Sequence, residues 1–159
     1  MSKLRDEVDL LRSIPVLATL PANKLKLLAF ASDRVCWAAG ETLFKQGDDA
    51  DAAYIVIAGE ADVLVSAESG GEPSKVAELG PNAFVGDMAI LSDIQRTATI
   101  RAASQLDTLR IRKDHLIDMM KDSPALSMAV LQDLVQRLAK TTHDLTEARD
   151  EIAKLKAAS

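Results

Sequence analysis

The stretch Phe84-Val85-Gly86-Asp87-Met88-Ala89-Ile90-Leu91-Ser92-Asp93-Ile94-Gln95-Arg96-Thr97 places one glycine, one acid and one arginine around about one helical turn. A glycine at position 86 lets the backbone approach a ligand closely. A helix starting there leaves the amides of Asp87, Met88 and Ala89 as unpaired donors, which suits an anion. Arg96 adds a fixed positive charge and two-pronged hydrogen bonding suited to phosphate. Asp87 would repel a bare phosphate, so its partner in such a site is a neutral group such as a sugar hydroxyl, the way an acid reads ribose in dinucleotide folds. Together these groups outline a nucleotide site. Gly-Asp at a helix start is also a common cap, and on spacing alone both readings stand.

Other chemistry finds less support in the sequence. His115 and His143 are the only histidines, on separate helical stretches and without an acid or cysteine at ligand spacing, so they read as solvated helix residues. Cys36, the single cysteine, reads as a small buried or half-buried side chain beside Trp37; one thiol excludes an intramolecular disulfide, a four-cysteine cluster and a cysteine-rich zinc site. No Ser–His–acid set and no carboxylate cluster suited to Mg²⁺ is present, so no catalytic residue and no metal ligand is expected.

The elements that must position Gly86, Asp87 and Arg96 follow from hydrophobic period. Leu4, Val8 and Leu11 recur at helical spacing, Pro15 interrupts, and Leu25, Leu27 and Leu28 follow an entry at Pro21. From Val35 to Leu109 the period changes. Thr42–Phe44, Tyr54–Ile57, Ala61–Val65, Lys75–Leu79, Ala98–Ala102 and Asp107–Ile111 read as short strands, separated by turns such as Gly47-Asp48-Asp49 and Gly59-Glu60, with Gly70-Gly71 as the hairpin tip. Short strands with glycine-rich turns predict a small antiparallel roll or barrel. A short helix from Asp114 to Lys121 comes next, and Ser123-Pro124 reads as an N-cap with proline at the first helical position. From there no glycine or proline occurs, and Leu131, Leu134, Leu138, Thr141, Leu145, Ala148, Ile152 and Leu155 step by 3 and 4. That pattern reads as a coiled-coil seam, with Thr141 as a polar residue at a d position; the alternative is a helix lying on its own domain.

The 159 residues suffice for one domain with a buried core plus an appendage, and 48% hydrophobic with 27% charged residues excludes a disordered chain. With aromatics at 3%, the core must be aliphatic. Nineteen bases against 24 acids give a net charge of −5, which argues against non-specific nucleic-acid binding and a polybasic membrane anchor. Residues 1–7 lack an apolar signal region, and the longest apolar run, Ala52–Ala58, is too short to span a bilayer, so a cytoplasmic protein is expected.

The sequence resembles the cyclic nucleotide-binding domain family over residues 15–145. Gly40-Glu41-x-Leu43-Phe44-x-x-Gly47-Asp48, Tyr54-Ile55-Val56 and Ala58-Gly59-Glu60-Ala61-x-Val63 look like its β-roll glycine framework. Phe84–Leu91 followed by Arg96-Thr97-Ala98-Thr99 is similar to its phosphate-binding cassette. The resemblance implies an α+β fold: an antiparallel β-roll (double-stranded β-helix or jelly roll) with N-terminal helices, a short cassette helix and a long C-terminal dimerisation helix. It implies that Gly86, the amides of Met88 and Ala89, Arg96 and Thr97 hold a cyclic phosphate, that Asp87 meets the ribose 2′-hydroxyl, and that Val63 and Val76 line the pocket. The family usually has glutamate where this chain has Asp87, one methylene shorter.

Within that family the catabolite activator protein branch is most similar. The separation from Arg96 to Thr141 and Thr142 matches that branch, where two hydroxyl residues on the long helix contact adenine, one of them on the neighbouring subunit's ligand. The candidate ligand-binding residues are therefore Val63, Val76, Phe84, Val85, Gly86, Asp87, Met88, Ala89, Arg96, Thr97, Thr141 and Thr142. That branch continues into a helix-turn-helix domain, whereas little follows Leu155 here and the five bases after Val130 are balanced by five acids, so no direct DNA binding is expected. The expected organisation is a cyclic nucleotide-binding roll with N-terminal helices over 1–122 and a long helix over 123–159. The expected function is that of a non-enzymatic receptor for cAMP, a homodimer signalling through its long helix to a protein partner. A cGMP-selective receptor and a coiled-coil adaptor with a vestigial nucleotide site are the alternatives.

Overall fold

A computed structural model describes residues 2–67 and 70–158, with side chains from position 6 onward; Leu4 of the first helical pattern therefore lies outside the described side chains. Helices α1 (Ser2–Arg12) and α2 (Ala22–Ala31) flank a 3₁₀ turn at Pro15–Leu17. Strands β1 (Asp33–Trp37), β2 (Thr42–Phe44), β3 (Ala52–Ala58), β4 (Ala61–Val65), β5 (Ser74–Leu79) and β6 (Phe84–Val85) follow. Then come α3 (Asp87–Ser92), β7 (Thr99–Ala102), β8 (Leu106–Arg112), α4 (Lys113–Asp122) and α5 (Pro124–Ala158). Every strand anticipated from the sequence is present. The two additions are β1, whose residues do not alternate in polarity, and β6, two residues long and too short to show a period.

The strands form two four-stranded antiparallel sheets, ordered β1-β8-β3-β6 and β2-β7-β4-β5. This is an α+β antiparallel β-roll. Side chains alternate across a strand, and β3 uses both faces. Ala52, Tyr54 and Val56 join Leu43, Val85, Ile100 and Leu106 between the sheets. Ala53 and Ile55 face the helices, in a second core with Leu25, Leu109, Ile111, Leu116, Leu126 and Val130. Burial on both faces is why Ala52–Ala58 reads as one apolar run. At the β3–β4 turn Gly59 has φ +90, and a Cβ there would come within 2.1 Å of the Gln105 carbonyl oxygen, so the turn admits only glycine.

The start of α5 is capped as anticipated: the Ser123 hydroxyl accepts the Leu126 amide at 3.2 Å. At 1.5 Å per residue its 35 residues extend about 52 Å. Only Leu126 and Val130 on this helix are buried, with Leu134 half-buried against the helix-side core. Farther along, Leu138, Leu145, Ile152 and Leu155 are exposed, Leu138 by 67%. The roll covers the first turns of α5 and leaves the rest of the seam bare.

The expected burial of Cys36 is overturned. Cys36 is exposed, because it lies on β1, the outer strand of its sheet, and projects to the side where Asp107 accepts its thiol hydrogen at 3.5 Å. That carboxylate raises the thiol's pKa, which works against a reactive thiolate. No described helix is long and apolar enough to cross a membrane.

Candidate functional site

Strand β6 carries the chain through the sheet and ends at Gly86, whose φ of +83 turns it directly into α3. Strand alternation divides the two residues before it. Val85 enters the core between the sheets, and Phe84 enters the helix-side core. In the first turn of α3 Asp87 and Ala89 are buried while Met88 is exposed, and no side chain caps the helix. Asp93, also left-handed, ends α3.

The loop returns to Arg96, whose backbone is pinned by the Gly47-Asp48 turn. The Arg96 amide donates to the Asp48 carbonyl at 2.8 Å, and the Gly47 amide donates to the Arg96 carbonyl at 2.9 Å. The side chain, in a residue only 3% exposed, turns inward. Nη1 donates to the Gly86 carbonyl at 2.8 Å and Nη2 to the Ala52 carbonyl. The nearest carboxylate oxygen recorded, on exposed Asp51, is 3.8 Å away. Nε is buried and has no partner among the described residues. Burial pushes the Arg96 pKa down, partly offset by Tyr54 and the nearby acids.

Asp87 is fully buried. Its Oδ2 accepts Arg137 Nη2 at 2.6 Å, so a residue on α5 reaches into the cassette. Its Oδ1 is buried without a partner among the described residues. Burial pushes the carboxyl pKa up, and Arg137 pulls it back. Arg137 Nε also lies 3.0 Å from Asp133 Oδ2, an ion pair outside hydrogen-bond angles. Arg137 is absent from the candidates drawn from the sequence, where it counts only as one of the five bases balanced by five acids after Val130.

The fold thus brings Gly86, Asp87 and Arg96 together. Val63 packs half-buried against the core between the sheets, Val76 is 61% exposed on β5, and Thr97 is exposed. Thr141 and Thr142 stand exposed one turn beyond Arg137, and the Thr141 hydroxyl donates to the Arg137 carbonyl at 2.9 Å. His115 is not a plain solvated residue: its Nε2 is buried without a partner. It lines a cavity of about 160 Å³ with Leu20, Lys24, Leu27 and Met119, apart from every cassette residue. That volume is below the several hundred Å³ of ordinary ligand pockets. Among the described residues no group of three His, Cys, Asp or Glu is placed to hold a metal ion.

Comparison with known proteins places this geometry in context. The cyclic nucleotide-binding domain matches residues 34–123. The chain is 34% identical over 103 residues to the cAMP-dependent protein kinase regulatory subunit of Blastocladiella emersonii, covering 65% of this chain and 25% of that protein. The sensor domain of the transcriptional regulator DNR from Pseudomonas aeruginosa superposes with a TM-score of 0.76 at 23% identity, covering 90% of this chain and 95% of that one. The catabolite activator protein of Thermus thermophilus superposes with a TM-score of 0.72 at 24% identity, covering 82% and 61%. These two likenesses show the fold. The chain spans about a quarter of the length of the curated kinase relative.

Proposed function

This chain belongs to the cyclic nucleotide-binding domain family, and from that premise we propose that it is a cAMP receptor whose cassette reports occupancy to α5 and, through it, to a protein partner. One observation carries the reading. Next to Gly86, which Arg96 hydrogen-bonds and Asp87 follows, are two buried polar atoms without partners among the described residues: a donor, Arg96 Nε, and an acceptor, Asp87 Oδ1. Leaving either unmade costs about 1–3 kcal/mol, more for charged groups. A cyclic phosphate satisfies the first and a ribose 2′-hydroxyl the second, so one ligand answers both. The amides of Met88 and Ala89 and the Thr97 hydroxyl complete the phosphate contacts in this reading. Val63, Val76, Phe84 and Val85 shape the apolar surround, with Phe84 acting from the helix side.

Signalling follows from Arg137. It ties the cassette acid to α5, so a sugar hydroxyl at Asp87 changes the charge balance of that contact. A shift in how α5 lies requires only that the ligand bind the two arrangements with different affinity. The bare seam beyond Leu134 is proposed to pair with a second copy, which would place Thr141 and Thr142 at the dimer axis for adenine contact. In this scheme the roll over 1–122 senses and the helix over 123–159 assembles and transmits. The role is binding rather than catalysis, in the cytoplasm, without direct contact to DNA or membrane.

Calorimetric titration with cAMP, cGMP and 2′-deoxy-cAMP tests the proposal. Saturable cAMP binding, weakened by removal of the 2′-hydroxyl, is expected. Preference for cGMP would move the base assignment to Thr97. Absence of binding by all three would favour an adaptor with a vestigial site, a reading supported by the engagement of Asp87 with Arg137.

A further inference from the structure

A buried guanidinium needs compensation for its charge, and among the described residues no carboxylate is hydrogen-bonded to Arg96. Asp51, the nearest acid recorded, stays 3.8 Å away and hydrogen-bonds Arg110 at 3.1 Å instead. What lies against Arg96 is a ring: its Cζ sits over Phe44 at 3.9 Å from the centroid. The ring is held in turn. Phe44 packs on Tyr54 at 6.0 Å, and Tyr54 meets Trp37 edge-on at 6.2 Å. The Trp37 indole donates to the buried Thr108 hydroxyl at 3.1 Å, which donates onward to the Val35 carbonyl at 2.8 Å. Three of the chain's five aromatic residues therefore stand in one row that ends at Arg96. Gly86 completes the contact, because a Cβ there would come within 2.4 Å of Arg96 Nη1 and 3.3 Å of Phe44.

We infer that Phe44 is a positioning residue of the phosphate site, holding the Arg96 guanidinium with a ring face where a hydrogen-bonded carboxylate would otherwise stand. A cation over an aromatic face gains most when desolvated, as Arg96 is. The choice of a ring has a chemical consequence. A bound carboxylate would occupy in-plane N–H directions and cancel the charge a phosphate needs. A ring contacts the face of the guanidinium and leaves its in-plane donors to acceptors. Two of these go to the Gly86 and Ala52 carbonyls, and Nε remains. The inference rests on the reading of Arg96 as the phosphate ligand.

Three variants test it: Phe44→Leu and Phe44→Met, which keep apolar bulk without a ring, and Phe44→Tyr, which keeps the ring. Phe44→Leu and Phe44→Met are expected to weaken cAMP binding about tenfold, with Phe44→Tyr within about threefold of the native affinity. In an Arg96→Lys background, Phe44→Leu should have less than half that effect on a logarithmic scale, since the ring acts through the guanidinium. Nitrogen-resolved NMR of the ligand-free protein supplies a readout independent of nucleotide. The Arg96 Nε–H resonance, assigned from its loss in Arg96→Lys, should carry a ring-current shift that disappears in Phe44→Leu and persists in Phe44→Tyr. Equal losses of affinity in both backgrounds would reduce Phe44 to packing and overturn the inference. So would an Nε–H resonance unmoved by Phe44→Leu. If the native chain bound no cyclic nucleotide, the receptor reading would fail, while the resonance alone would still decide whether Phe44 holds Arg96.

Discussion

Asp87 and Arg137 meet at 2.6 Å although 50 positions separate them in the chain. One stands in the first turn of the cassette helix and the other on the long helix, where the roll's cover gives way to solvent. The contact joins the proposed ligand site to α5, whose residues beyond Leu134 the roll leaves uncovered. It also leaves one Asp87 oxygen unpartnered inside the protein. A link that is both mechanical and electrostatically incomplete is suited to being altered by a ligand.

Arg137→Ala is expected to lower stability by about 2–3 kcal/mol. Removing one partner of a fully buried pair costs about 3–5 kcal/mol; the Arg137 side chain is 35% exposed, and solvent screening reduces the figure. The melting temperature should fall by roughly 5–10 °C, with Arg137→Lys recovering part of it. Thermal unfolding of the three proteins checks this, and a change under about 0.5 kcal/mol would remove the pair's structural role.

Burial holds the Asp87 carboxyl above its ordinary value of 3.8, with Arg137 pulling the other way. The folded protein therefore binds this proton more tightly than the unfolded chain. The stability this provides is full below about pH 3.8 and is lost as pH rises through the raised folded value. Asp87→Asn has no such loss. Urea melts from about pH 3.5 to 8 should show the stability difference moving in favour of the variant with rising pH and then levelling. A difference that moved against the variant would mean that Arg137 outweighs burial.

Arg96→Ala is expected to weaken cAMP binding tenfold to several hundredfold, from the loss of charge-assisted bonds worth about 1.5–3 kcal/mol and a phosphate left partly unpaired. The fold should survive at a cost, because the Gly86 and Ala52 carbonyls lose their donors together. A stability loss of about 1–3 kcal/mol is expected. Calorimetry showing unchanged affinity would place the ligand outside the cassette.

Leu145→Lys combined with Ile152→Lys puts four like charges into a paired α5 seam and should give monomers, whereas the native chain should scatter light as a dimer at tens of micromolar. Both positions are exposed in the single chain, so the double variant should melt within about 1 kcal/mol of the native monomer fold. A monomeric native protein would sink the pairing of α5.

Six of the eight strands, the capped long helix and the run from Gly86 to Arg96 were legible in the sequence, because each depends on local period, turn chemistry or short spacing. The Ala52–Ala58 run and the Ser123-Pro124 cap are of this kind. Tertiary structure alone decided what those residues face. Whether β1 turns Cys36 to solvent depends on its place at the edge of a sheet, and no local pattern sets strand order. Arg137 is one basic residue among several on α5 until the helix is laid over the cassette, and Phe44 one apolar residue of a short strand until β2 brings it under Arg96. Charge compensation in a buried site is a long-range property: it depends on which groups folding carries within a few ångströms, and the chain can draw them from any distance along itself.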